Sequence, residues 1–179
     1  MRVKSKAIKT VCSVATVLAI VFSIDSRLTT SENGLRHIAN EEGCRLKPYQ
    51  CSANVWTNGL GHTKGVSKHT KINEQQAAEN FVEDLAGAEK VVNKHITQTP
   101  NQGEWDMMVS FVYNLGSGNF ARSTLLKKFN RGDRTGACNE YPRWVFVNGK
   151  DCRLKKSNCA GIPKRRTIEK NICLNGWQR

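Results

Sequence analysis

The sequence predicts a mainly helical α+β fold, since two long stretches have helical periodicity and one short stretch has the pattern of a β-hairpin. The longest amphipathic stretch runs from Asn73 to about His95 and keeps its apolar residues on one face. A second apolar stretch begins at Asn101 and stops at Gly116. Before both, Asn58-Gly59 separates two short β-prone segments, which is typical of a two-residue hairpin turn. Together these patterns predict one small hairpin and a larger set of helices.

The chain begins with basic residues followed by an apolar run from Val11 to Ile24. At about 1.5 Å per residue, this run spans roughly 21 Å of a hydrocarbon core of about 30 Å, and counting from residue 7 leaves it marginal. The basic residues favour a cytoplasmic N-terminus with the rest of the chain outside. Three interpretations stay open: a cleaved signal peptide, a permanent anchor, or an uncleaved anchor weak enough to leave the bilayer.

A short helix is predicted to begin at the capping pattern Thr29-x-x-Glu32 and to end at Glu42, just before Gly43. Its apolar face consists of Leu35, Ile38 and Ala39. Glu42 continues that face, so it is an acid in a poorly solvated place at the negative end of the helix dipole. Both conditions disfavour the ionised form, and we expect Glu42 to retain its proton near neutral pH. A general acid requires this property.

The other predicted elements follow from capping, turn and periodicity signals. In chain order they are hairpin strands at Val55–Thr57 and Leu60–His62, a helix capped by Asn73, a helix capped by Asn101-x-x-Glu104, a glycine-rich turn at Asn114–Phe120, helices at Ser123–Asn130 and Arg134–Tyr141, a loop at Val147–Ile162, and a helix at Pro163–Leu174.

The composition predicts an exported protein with an anionic partner. Lys and Arg number 28 against 15 Asp and Glu, for a net charge of +13. The sequence has no nucleic-acid-binding motif, and its histidines lack zinc-ligand spacing, so we expect no nucleic acid, no metal and no cofactor. Seven cysteines indicate an oxidising compartment, and their odd number leaves one unpaired in a monomer.

Glu42, Cys51 and Thr57 lie at spacings of nine and six residues within EGCRLKPYQCSANVWTNGLGHT. This stretch resembles the catalytic pattern of the phage-type lysozymes, glycoside hydrolase family 24, which have a Glu, an acidic residue and a Thr at these spacings. The segments at 110–133 and 162–174 resemble the family's second cleft wall and last helices. The resemblance covers residues 31 to 179. It departs from the family at Cys51, where most members have Asp, and is nearest to the signal-arrest-release (SAR) endolysins with cysteine at that position.

The resemblance implies a two-lobed lysozyme-like fold, with a hairpin lobe and a helical lobe joined by the long helix. It implies a muramidase that hydrolyses the β-1,4 bond between N-acetylmuramic acid and N-acetylglucosamine in host peptidoglycan. Glu42 is then the general acid, with Cys51 and Thr57 across the cleft. We expect four further residues to line the cleft: His62, Asn114, Gly116 and Arg165.

The resemblance also implies a membrane segment at residues 1–28 and a lysozyme domain at 29–179. The protein is expected to be a monomer, held inactive on the periplasmic face of the inner membrane through residues 7–24 and then released into the periplasm. In the SAR endolysins with a catalytic cysteine, release is followed by a disulfide exchange that frees this thiol.

The cysteine inventory is compatible with such an exchange. Cys138 and Cys173 belong to late helices and make a plausible pair, and Cys152 and Cys159 share one loop. Three cysteines remain, Cys12, Cys44 and Cys51, and they can form one disulfide among them. A Cys44–Cys51 bond blocks the catalytic position and a Cys12–Cys44 bond frees it, and exchange between them proceeds by thiolate attack. The open alternative is a permanent Cys44–Cys51 bond with a spare Cys12.

Two rival functions stay open at this point. A lytic transglycosylase needs one Glu and no second acid, which the missing Asp allows. A non-catalytic protein that binds cell wall or membrane is compatible with the basic surface and the apolar N-terminus.

Overall fold

The structure, a computed structural model, describes residues 12–24, 27–50, 54–157 and 159–178, without the side chain of Lys155. The described residues form eight α-helices and two small antiparallel sheets, which confirms the predicted mainly helical α+β fold class. The elements are α1 (Val14–Ser23), α2 (Glu32–Glu42), β1 (Arg45–Gln50), β2 (Trp56–Gly59), α3 (Glu74–His95), α4 (Gln102–Leu115), α5 (Ser117–Arg122), α6 (Thr124–Asn130), α7 (Arg134–Cys138), β3 (Phe146–Val147), β4 (Lys150–Asp151) and α8 (Gly161–Asn175), with short 3₁₀ helices at Tyr141–Arg143 and Lys155–Ser157.

Two helix caps agree with the sequence prediction and one differs. Asn73 caps α3, and Asn101 forms a capping box with Glu104 at the start of α4. At α2 the cap is Ser31, whose side chain accepts from the Gly34 amide, and the predicted cap at Thr29 is wrong. A tertiary contact explains the difference, because the Thr29 amide donates to Glu89 on α3.

The hairpin is longer than predicted and turns later. Strand β1 pairs with β2, with Arg45 opposite Gly59, so Asn58 and Gly59 belong to a strand rather than to a two-residue turn. The chain turns over residues 59–61, where Asn58 and His62 exchange backbone hydrogen bonds of 3.0 and 2.9 Å. Gly61 has φ of 93°, a value that favours glycine, so the second predicted strand at Leu60–His62 is wrong.

Two other segments are more ordered than the sequence predicted. The glycine-rich stretch contains α5, since the fully buried Phe120 fixes a helix beyond the left-handed Gly116. The predicted loop after Val147 contains part of the β3–β4 hairpin, which turns at Asn148-Gly149.

Helix α1, from the N-terminal apolar run, packs on the domain. Its side chains Val17, Leu18 and Val21 are buried in the core that α3 and α4 share, and the Ser13 amide donates to the Glu74 carboxylate at 3.1 Å. Among the described residues, no helix combines the length and the apolar character that crossing a membrane requires.

Candidate active site

Glu42 lies at the end of α2, where Gly43 terminates the helix with φ of 69°. Its side chain is 18% exposed, and one carboxylate oxygen accepts a hydrogen bond of 2.8 Å from Nη1 of Arg165 on α8. The structure thus places the predicted general acid beside the predicted cleft arginine, although 123 residues separate them in sequence. The prediction that Glu42 retains its proton rested on burial and on the helix end, and it did not include the positive charge of Arg165.

A buried cluster on α8 and its neighbours holds Arg165 in place. Glu169 is fully buried, and its carboxylate accepts from Nε of Arg165 at 3.1 Å, from the hydroxyl of Ser110 at 2.7 Å and from Arg166. His37 lies close by, with Nε2 3.9 Å from a Glu169 oxygen. Burial raises the pKa of Glu169, but His37 and the two arginines outweigh burial and hold this pKa at about 2.

The low pKa of Glu169 gives a pH dependence of stability. A carboxyl whose pKa falls from 4.5 when unfolded to about 2 when folded stabilises the fold at pH above 4.5, and this contribution is lost as pH falls towards 2. We therefore expect the free energy of unfolding to decrease between about pH 4.5 and pH 2, measured by urea titration at each pH. The same series on Glu169→Gln should show a smaller decrease, and an identical decrease contradicts this origin.

The turn after β2 closes the site around Glu42. A side chain at Gly61 would place its Cβ 3.2 Å from a Glu42 carboxylate oxygen. This tight contact favours glycine at position 61, and so does the positive φ. Tyr113 on α4 fixes this turn by donating to the Leu60 carbonyl at 2.5 Å. Burial, reinforced by Asp84 and Glu42, raises the pKa of Tyr113 well above its usual value, so the phenol stays a donor.

Thr57 lies on β2, in the strand that leads into this turn. It is 3% exposed, and its hydroxyl donates to the Val55 carbonyl at 3.1 Å. Cys51, the third residue of the predicted catalytic set, lies outside the described residues.

The other predicted cleft residues have partners within the protein. The Nδ1 atom of His62 lies 2.8 Å from the Asp84 carboxylate on α3, and the side-chain Oδ1 of Asn114 accepts from Arg166. Gly116 terminates α4 with φ of 82°. Of the four guessed cleft residues, Arg165 is the one whose side chain the structure joins to Glu42.

Four residues of this site were not predicted from the sequence: Ser110, Tyr113, Arg166 and Glu169. One signal was present, because Arg165 and Glu169 are spaced as an i, i+4 pair of opposite charge on a helix. Ser110 gave no such signal, since its role depends on α4 packing against α8.

The described residues contain three disulfides. They join Cys12 to Cys44, Cys138 to Cys173 and Cys152 to Cys159. The first joins the segment before α1 to the segment after α2, so the apolar N-terminal helix is covalently attached two residues from Glu42.

Comparison with known sequences identifies the family. The Phage lysozyme family matches residues 39–169, a range that contains Glu42, Thr57 and Arg165. The chain is 41% identical over 144 residues to an endolysin of Acyrthosiphon pisum secondary endosymbiont phage 1, covering 79% of this chain and 95% of that relative. It is 29% identical over 178 residues to the SAR-endolysin of Escherichia phage P1, covering 93% and 92% of the two chains.

Two solved structures of the phage P1 endolysin differ in their likeness to this chain. The active form has a TM-score of 0.78 at 30% identity and covers 92% of this chain and 95% of its own. The secreted inactive form has a TM-score of 0.56 at 30% identity, with 82% and 96% covered. The family match, the identity to the endolysin relative and the fold together show that this chain belongs to the phage lysozyme family.

Proposed function

We propose that this protein is a phage endolysin, a muramidase that hydrolyses the β-1,4 bond between N-acetylmuramic acid and N-acetylglucosamine in host peptidoglycan. The observation that carries the proposal is Glu42, partly buried and hydrogen-bonded to Arg165, within the part of the chain that matches the family. The relatives named endolysin and SAR-endolysin support the same function. The net charge of +13 is suited to the anionic cell wall.

In the proposed reaction, Glu42 in its protonated form donates its proton to the glycosidic oxygen that leaves. As the bond breaks, positive charge develops at the anomeric carbon. Arg165 then hydrogen-bonds to the carboxylate that remains, which keeps Glu42 oriented towards the cleaved bond. Arg165 also donates a hydrogen bond to Glu169, and this second bond holds the guanidinium in place beside Glu42.

The attacking water is assigned to the side of the cleft formed by Cys51 and Thr57. A cysteine thiol has an ordinary pKa of about 8.5, so few such thiols are ionised at neutral pH. Cys51 therefore either has a lowered pKa and accepts the proton of the attacking water, or positions this water by hydrogen bonding while the proton passes to solvent. The family resemblance favours inversion of the anomeric carbon, which requires room for this water.

Regulation by export, membrane anchoring and disulfide exchange forms the second part of the proposal. Before release, residues 7–24 hold the chain in the inner membrane with the domain on the periplasmic side. After release, Cys12 bonds to Cys44. The Cys12–Cys44 bond in the structure supports the proposed end state, because a Cys44 sulfur bonded to Cys12 is not available to Cys51. The higher TM-score with the active form of the phage P1 endolysin agrees with an active conformation.

Replacing Cys12 by Ser tests the exchange. We expect the soluble Cys12→Ser protein to pair Cys44 with Cys51 and to lose at least about 90% of its activity, since the proposed catalytic thiol is then consumed. Non-reducing peptide mapping identifies the bond, and mild reduction should restore turnover.

The control for that experiment is the Cys152→Ser/Cys159→Ser double variant, which removes a disulfide remote in sequence from Glu42. Full activity of Cys12→Ser without reductant, or a Cys44–Cys51 bond in the active wild-type protein, contradicts the exchange.

The reaction type is tested by mass spectrometry of the muropeptides released from purified peptidoglycan. A free reducing muramic acid end establishes hydrolysis. A 1,6-anhydro-muramic acid end instead establishes the rival lytic transglycosylase, and the absence of glycan cleavage by protein with a free Cys51 thiol supports the non-catalytic binding function.

A further inference from the structure

A basic segment near the C-terminus, from Arg143 to Ser157 and here called the stapled loop, has no part in the proposed reaction. It contains β3, β4 and the second 3₁₀ helix, and the Cys152–Cys159 disulfide joins it to the residues before α8. Its fifteen residues include five basic ones and a single acid.

The stapled loop exposes its largest apolar side chains while its base is buried. Phe146 is 57% and Leu154 63% exposed, the two highest values among large hydrophobic side chains of the described residues. By contrast, Val145 and Cys152 are 2% and 1% exposed, and the Cys152 amide donates to the Val145 carbonyl at 2.8 Å. Phe146 and Leu154, here called the apolar tips, are therefore exposed to solvent on a loop whose base is buried.

Positive charge lies beside these tips. The Arg153 guanidinium is 5.8 Å from the centroid of the Phe146 ring, so the arginine and the aromatic ring face the same region. Arg153 is also paired with Asp151. Lys150 and Lys156 are exposed and have no ion-pair partner within the described part of the chain, so their charge is available to an external anion.

We propose that the stapled loop is a docking surface for anionic phospholipid membranes, with Phe146 and Leu154 entering the interfacial region. Exposed apolar side chains gain free energy at a lipid interface, and adjacent lysines gain from the negative surface potential of anionic lipid. An anionic glycan would attract the lysines but would leave both apolar tips in water. The buried base supports insertion, because a fixed loop loses little conformational entropy on binding. This surface is independent of the proposed catalytic function.

The test uses the full chain in its soluble form with the disulfides intact. Sedimentation with vesicles of phosphatidylglycerol and phosphatidylethanolamine should pellet the wild-type protein, and phosphatidylcholine vesicles should not. Phe146→Ser/Leu154→Ser should weaken the binding at least about tenfold, because two apolar contacts are lost. Raising the salt concentration should weaken wild-type binding as well. Hydrogen exchange of the amides at residues 146–154 should slow with anionic vesicles.

The matched control is Ile168→Ser/Leu174→Ser, which removes two exposed apolar side chains from α8. It should bind vesicles like the wild type, and both double variants should keep wild-type activity on solubilised peptidoglycan. Unchanged vesicle binding by the loop variant places the contact elsewhere on the protein and overturns the proposal. Absence of wild-type binding, or an equal loss in the α8 control, also overturns it.

Discussion

Glu42→Gln is expected to lower kcat on peptidoglycan by about a hundredfold to ten-thousandfold while the fold stays intact. A carboxamide cannot donate the proton that the leaving glycosidic oxygen requires, and general acid catalysis contributes about 10²–10⁴. The variant should fold because Arg165 keeps its bond to Glu169, so loss of the Glu42 charge does not leave the buried guanidinium without an acid.

The matched control is Glu41→Gln, which changes the exposed neighbour on the same helix. It should keep wild-type turnover, and both variants should unfold within a few degrees of the wild type by circular dichroism. Substantial turnover by Glu42→Gln, in protein verified to hold the Cys12–Cys44 bond, would show that another group supplies the proton.

Glu169→Gln is expected to cause the largest loss of stability. Both Arg165 and Arg166 lose the charge of their shared acid in a buried environment, and breaking a buried ion pair costs about 3–5 kcal/mol. For a domain of this size, such a loss lowers the melting temperature by roughly 10 °C. The exposed Glu79→Gln is the control and should melt like the wild type.

Glu169 should also affect catalysis, as a positioning residue that acts through Arg165. Below its melting temperature, Glu169→Gln should show a reduced kcat with a KM close to that of the wild type, because Arg165 is held less firmly against Glu42. The conservative Glu169→Asp should recover part of this loss. A melting temperature unchanged by Glu169→Gln contradicts the assigned role of the cluster.

The sequence predicted the parts of the fold that depend on local signals. Asn73 and the Asn101–Glu104 box marked two helix starts correctly, because a cap acts within one helical turn. Thr29 was a wrong cap because Glu89, sixty residues away, accepts its amide. The Asn58-Gly59 turn was wrong for a similar reason, since pairing with β1 extends the strand past a favourable turn pair.

Of the candidate site, too, only a part was predicted from the sequence. Glu42, Cys51 and Thr57 were predicted from their spacing and stay predictions, and Arg165 was predicted from resemblance to a cleft arginine. The residues that position Arg165 were not predicted, and Ser110 could not have been, since it acquires its role only when α4 and α8 pack together.

The burial of α1 has a consequence for the direction of activation. Val17, Leu18 and Val21 are the same side chains that would face lipid in the anchored form, and in the folded domain they face the core. Core burial keeps each of these side chains out of water, a gain of about 1.5–3 kcal/mol that lipid would otherwise supply, so docking offsets the cost of leaving the bilayer and a return would gain no further burial. The Cys12–Cys44 bond adds a covalent barrier to the same reversal. In the proposed activation, the segment that held the enzyme at the membrane therefore becomes part of the folded interior, and a covalent bond opposes its return.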